Sequence, residues 1–187
     1  MLLRTILIAG LFIAGASLAW RIFPGRSRLA INREGLHFPL VSGYNLDREE
    51  IEFPRDFGGN LNLVIVPFQQ YQQTIVNTWI PFAQQTEKTF PRFMYFELPT
   101  IYNMPAFARG LINEGMRAGI PDQTARERTI TLYLDKEPFK SALGIESEDD
   151  IHLFLVDKEG EILWHSTGEF SESKAEELVK VLDTTWK

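Results

Sequence analysis

Short apolar runs and helically spaced apolar stripes take turns along this chain, separated by segments rich in glycine, proline and charge. Val41 to Leu46 and Ile51 to Phe53, parted by Asp47-Arg48-Glu49-Glu50, predict a short hairpin, and Phe57-Gly58-Gly59-Asn60 predicts a turn. Leu61 to Phe68 (LNLVIVPF) is almost unbroken apolar sequence, the pattern of a strand covered on both faces. Gln72 to Phe90 sets Ile75, Val76, Trp79, Phe82 and Ala83 on one helical face. Pro81 inside that helix removes a backbone hydrogen bond, so a kink is expected. Arg92 to Leu98 (RFMYFEL) is a second strand closed by Pro99. Met104 to Ala118 has helical spacing through Phe107, Leu111 and Ile112, weakened by Gly110 and Gly115. Thr129 to Leu134 (TITLYL) alternates as a strand does. Pro138 at a helix N1 position, followed by Phe139, Ala142 and Leu143, predicts a short helix stopped by Gly144. Ile151 to Val156 and Glu161 to Thr167 pair around the turn Asp157-Lys158-Glu159-Gly160. Ser171 caps a last helix whose apolar face is Leu178, Val181 and Leu182.

The order is hairpin, β, α, β, α, β, α, hairpin, α. Strands alternating with helices predict an α/β fold with right-handed crossovers, and the terminal hairpin makes the sheet mixed. Ahead of this domain, Thr5 to Trp20 (TILIAGLFIAGASLAW) carries no charge, a length marginal for a span, which needs about 20 apolar residues. Residues 1–23 are therefore expected to be a membrane anchor, an N-terminal apolar helix, or a signal peptide. Ala14-Gly15-Ala16 and Ser17-Leu18-Ala19 resemble cleavage sites, whereas Arg21, Arg26, Arg28 and Arg33 would hold that flank on the cytoplasmic side. Residues 24–35 read as a tether, and residues 36–187 as the folded domain. The expected location is membrane-anchored or exported, with the side open.

Composition narrows the function. The 187 residues are 44% hydrophobic and carry a formal net charge of −6, with no stripe of Lys and Arg beyond Arg33, which excludes a nucleic-acid footprint. There is no cysteine, hence no disulfide scaffold and no thiolate metal site. His37, His152 and His165 have no metal-ligand spacing and are expected to be structural or solvated. Glu146-Ser147-Glu148-Asp149-Asp150 lacks the glycine and alternating ligands of a calcium loop and reads as a solvated turn. Gly58-Gly59 precedes a strand, so it offers no phosphate cradle. No catalytic residue, cofactor or metal is expected.

Four segments carry a family resemblance: VSGYNLDREEIEFPRDFGGNLNLVIVPF, the proline-kinked helix after it, TITLYLDKEPFKSALGI, and IHLFLVDKEGEILWHSTGEFS. Together they resemble the thioredoxin-like superfamily and, within it, the peroxiredoxin branch (alkyl hydroperoxide reductase/thiol-specific antioxidant), over about residues 39 to 185. WIPF, GMRAGIP and the TLYLD strand resemble, more weakly, the thioredoxin-like assembly factors of mitochondrial ATP synthase. The resemblance implies a thioredoxin-like mixed sheet flanked by helices, with an N-terminal β-hairpin. It also implies a nucleophilic cysteine at the start of the kinked helix, where the helix dipole lowers a thiol pKa. Gln72 or Gln73 stands there, with Thr74, Ile75 and Val76 behind, and the proline that precedes the last hairpin in that superfamily is replaced by Asp150, Ile151 or His152.

Thiol chemistry is thereby excluded, because no other side chain replaces a thiolate in it. The expected function is a non-catalytic thioredoxin-like binding, assembly-factor or chaperone-like module at a membrane, with a protein partner. The alternatives are an enzyme of another class using a remodelled cleft, or a redox subunit relying on a partner's cysteine. The candidate binding rim is Gln69, Gln70, Tyr71, Gln72 and Gln73, joined by Tyr102 from the Pro99 to Pro105 loop and by Arg117 from a basic spot with Arg126 and Arg128.

Overall fold

A computed structural model describes residues 36–185; the anticipated anchor at 1–23 and the whole of the tether at 24–35 lie outside them. The hairpin forms as β1 (Val41–Asn45) and β2 (Glu50–Phe53), antiparallel with Val41 opposite Phe53. Gly43 is required in β1: a Cβ there would come within 2.5 Å of the Thr131 carbonyl oxygen. β3 (Leu61–Val66) leads through a single 3-10 turn, Gln70–Gln72, into α1 (Gln73–Thr89), which contains Pro81. Then follow β4 (Phe93–Glu97), β5 (Thr100–Tyr102), α2 (Ala106–Gly119), α3 (Gln123–Arg128), β6 (Ile130–Leu134) and α4 (Lys136–Leu143). The chain closes with β7 (His152–Asp157), β8 (Ile162–Thr167) and α5 (Glu172–Thr185).

The strands form two four-stranded mixed sheets, β4-β3-β7-β8 and β2-β1-β6-β5, rather than the single sheet anticipated. The two meet at Pro99, which has no N–H to give to a ladder: on either side of it Leu98 and Thr100 N–H donate to the Ile65 and Pro67 carbonyls at 2.7 and 2.9 Å, while the chain beyond it takes β6 as its strand partner. β4 pairs in parallel with β3, and β5 in parallel with β6. The seam is narrow: a parallel bridge between Glu97 and Thr129, and Leu132 N–H donating to the Pro99 carbonyl at 2.9 Å. The loop expected between Pro99 and Pro105 thus contains a short strand.

β3 lies inside its sheet between β4 and β7, and all six of its residues are buried. Alternation sends Leu61, Leu63 and Ile65 to one face, where Trp79 of α1 and Leu178 and Leu182 of α5 pack. Val64 and Val66 face the other way, into a phenylalanine-rich layer with Phe53, Phe96, Phe139 and Phe154. Two differences concern helices. Pro138 stands at the third position of α4, because Asp135 caps it and accepts from Glu137 N–H; a proline anywhere in the first turn forfeits no intrahelical bond. Gly144 ends α4 in the left-handed conformation, as its sequence predicts.

The second difference is larger. The apolar stripe of α2 does not reach the core: no residue of this helix is buried, and Phe107 and Leu111 are 79% and 62% exposed. α2 meets β6, Met116 against Thr131 and Asn113 against Tyr133, with one side open.

Candidate functional site

Where β3 ends, the chain turns through Pro67, Phe68 and Gln69 into the N-terminus of α1. This is the position at which the sequence resemblance implies a nucleophilic thiol, and two glutamine side chains fill it with fixed hydrogen bonds. Gln72 is fully buried. Its Oε1 accepts from Phe68 N–H at 2.7 Å and Gln69 N–H at 3.1 Å, and its Nε2 donates to the Glu148 carbonyl at 2.7 Å. Gln72 therefore straps the β3–α1 turn to the loop before β7 and is not an exposed rim residue. The physical reason is that a sharp strand-to-helix turn leaves backbone N–H groups unpaired, and a buried one must find an acceptor.

Gln73 points elsewhere. Its Nε2 donates to Asn77 Oδ1 at 3.2 Å and to Glu97 Oε2 at 3.3 Å. Glu97 closes β4 on the face shared by Phe93 and Tyr95, beneath α1, and is 6% exposed. Burial pushes its carboxyl pKa up, opposed only by the Gln73 hydrogen bond.

Between this end of α1 and the open side of α2 runs a groove of about 760 Å³. Gln69, Gln70, Gln73 and Asn77 line one wall. Leu111 and Met116 of α2 line the other, and Phe68 and Ile101 are at the bottom. Three of the seven expected rim residues, Gln69, Gln70 and Gln73, thus meet in one groove. Tyr71 is 62% exposed but does not line it.

Tyr102 is exposed and belongs to a different cluster. Its ring lies 4.4 Å from Nζ of Lys136, a buried lysine that also sits over the Phe68 ring and donates to Glu148 Oε2 at 2.9 Å. Burial raises the Glu148 pKa, but hydrogen bonds from Lys136 and Lys140 outweigh it and hold the carboxyl below its ordinary value. Arg117 is likewise occupied, 3.5 Å from Asp47, which Arg126 approaches at 3.1 Å; Arg128 pairs with Glu87. The expected basic spot is therefore neutralised by acidic neighbours folded against it from β1–β2 and α1.

His152 and His165 stack on the last hairpin with ring nitrogens 3.2 Å apart, and His152 Nε2 lies 2.9 Å from the Ser147 carbonyl. Among the described residues no group of three or more metal-ligating side chains comes together. Nor is any helix among them long and apolar enough to cross a membrane. Sequence reasoning missed Glu97, Lys136, Leu111 and Met116 as site residues. Glu97 had a signal, a lone carboxylate ending an apolar strand; Lys136, one polar residue in a polar stretch, had none.

The architecture has known counterparts. BsSco, a member of the Sco family of cytochrome c oxidase assembly proteins, matches with a TM-score of 0.52 at 11% identity, over 82% of this chain and 94% of its own. A thiol:disulfide interchange protein from Bacteroides sp. matches at 0.52 and 16% identity, over 79% and 88%. The exposed lipoprotein thioredoxin of Streptococcus pneumoniae matches at 0.51 and 13% identity, over 78% and 99%. The fold is thioredoxin-like. No protein-family model matches the chain, and no curated protein does. These matches extend to the fold and do not single out the peroxiredoxin branch or the ATP synthase assembly factors. The β3–α1 corner holds glutamines where the family resemblance of the sequence implies a thiolate, and a neutral amide cannot attack a disulfide or a peroxide.

Proposed function

We propose that this chain is a non-catalytic thioredoxin-like binding module, held at a membrane by residues 1–23 and working as an assembly factor or chaperone-like adaptor for a protein partner. The observation that carries the reading is the β3–α1 corner: Gln72 is built into the turn by three hydrogen bonds, and Gln73 opens onto an apolar-walled groove. A corner rebuilt this way has traded a reactive group for a closed turn and a recess. Loops at the carboxyl ends of parallel strands are where open α/β sheets bind their ligands. The Sco family to which BsSco belongs consists of assembly proteins, which is the precedent for such work on this fold. Within the superfamily the sequence segments favour descent from the peroxiredoxin branch.

The test is site-specific photocrosslinking of the full chain in its native membranes. A photoreactive residue at Gln70 is expected to give a discrete protein adduct, and one at Glu176 on α5 is expected to give none. Turnover of peroxide or insulin disulfides by the purified chain, or identical adducts from both positions, would overturn the reading.

A further inference from the structure

The groove combines two features that do not suit an empty recess. One is a carboxylate without a counter-charge. Glu97 does not itself line the groove: it is 6% exposed and stands directly behind Gln73, which does line it and is its sole hydrogen-bond donor among the described residues, at 3.3 Å. The basic side chains of the neighbourhood are engaged with other partners. Arg128 pairs with Glu87 and covers the Tyr95 ring, Arg117 and Arg126 share Asp47, and Arg109 is bound to Asn103 and lies over Tyr133. A carboxylate so placed gains most from a cation brought in from outside, because attraction strengthens where water is excluded.

The other feature is the α2 wall. Leu111 and Met116 present apolar surface to the groove, while Gly115 and Gly119 leave it wide: a Cβ at either would meet no atom within 4 Å. Gly115, inside the helix, costs roughly 1 kcal/mol against alanine, Gly119 is the last helical residue, and nothing in the domain's own packing requires either. They leave room for another chain to approach the α2 backbone.

We propose that this groove receives a segment of a partner protein in which an arginine or lysine stands between apolar side chains, the basic head group pairing with Glu97 and the apolar neighbours covering Leu111 and Met116. This rests on the reading of the domain as a binding module and gives that module's partner a chemistry. On binding, the cation displaces the weak Gln73 amide from Glu97, and Gln73 keeps Asn77.

The experiment is an NMR titration of the full chain in detergent micelles, labelled on leucine and methionine methyl groups. The probes are the peptide acetyl-Ala-Leu-Arg-Leu-Ala-amide and its analogue with neutral citrulline in place of arginine. The arginine peptide is expected to shift the Leu111 and Met116 methyl signals and to bind at least tenfold tighter than the citrulline peptide. Glu97→Gln, which keeps the side-chain shape, is expected to abolish that preference and leave citrulline-peptide affinity within threefold. Gly115→Leu, which fills the open wall and favours the helix, is expected to abolish binding of both. Equal affinity for the two peptides, a preference that survives Glu97→Gln, or no movement of the Leu111 and Met116 signals would each overturn the proposal. Any of these alongside a discrete Gln70 crosslink leaves the binding-module reading standing; loss of the crosslink removes that reading instead.

Discussion

Replacing Gln72 with alanine asks whether the β3–α1 corner is closed in solution as it is in the structure. The substitution deletes two acceptor bonds to the Phe68 and Gln69 N–H groups and one donor bond to the Glu148 carbonyl. Each such bond has a net worth of about 0.5–1.5 kcal/mol, and a buried group left without a partner costs about 1–3 kcal/mol. Phe68 is 5% exposed, so water reaches its freed N–H poorly, whereas Gln69 is exposed and rehydrates. The sum is a loss of roughly 3 kcal/mol. With a urea slope of about 2 kcal/mol/M, that moves the unfolding midpoint down by about 1.5 M at unchanged slope. Gln70→Ala, exposed and free of such bonds, is the control and should stay within about 0.5 kcal/mol. A Gln72→Ala loss under 1 kcal/mol would mean that the strap does not form, and would return Gln72 to the exposed rim.

Other outcomes follow from the charged clusters. Burial raises the Glu97 pKa, so between the ordinary carboxyl value and the raised one the folded state holds a proton that the unfolded state has released; stability then falls as pH rises through that window, and Glu97→Gln should remove the fall, seen as urea midpoints that converge with wild type at pH 3.5 and exceed it at pH 8. Glu148 shifts the opposite way, so its contribution is present above the ordinary carboxyl value and is lost as pH falls through the depressed one; Glu148→Gln should cost about 2 kcal/mol at pH 7, between the exposed and buried limits for ion pairs, by leaving buried Lys136 without its carboxylate, and an unchanged thermal midpoint would refute this. Tyr102→Ala should cost about 1 kcal/mol by uncovering the Lys136 ammonium, whereas Tyr71→Ala should stay within about 0.5 kcal/mol in the same melts.

The sequence carried the fold through its periodicity. LNLVIVPF could only be an interior strand, the Trp79 stripe could only face it, and the DKEG turn fixed the last hairpin; all three formed as their patterns require. What stayed illegible depended on partners distant in the chain. Pro99 reads as the end of a strand, and only the pairing of β5 with β6 shows that a further strand follows it in the second sheet. Gln72 and Gln73 are the same residue type side by side, and a turn of about 100° per residue on the helix sends one inward to the backbone and the other to the groove. The basic spot failed for the same reason: Arg117, Arg126 and Arg128 look unpaired until Asp47 and Glu87, tens of residues earlier, fold against them.

The helix α2 shows how a fold leaves room for function. Its periodicity is as regular as that of α1, yet α1 sets its Trp79 face on β3 and β4, while α2 meets β6 through polar contacts with Thr131 and Tyr133 and leaves its apolar stripe uncovered. Phe107 and Leu111 therefore forgo burial worth about 1.5–3 kcal/mol each. The rest of the domain sustains that loss because its two core layers, on opposite faces of β3, are complete without α2. The sealed core and the exposed apolar surface are thus separated in space. The layers that fix the fold are sealed, and the helix left uncovered borders the groove at the β3–α1 corner. Under the docking proposed above, a partner covering α2 would gain the apolar burial the domain gave up, and its affinity would draw on surface that folding left unused.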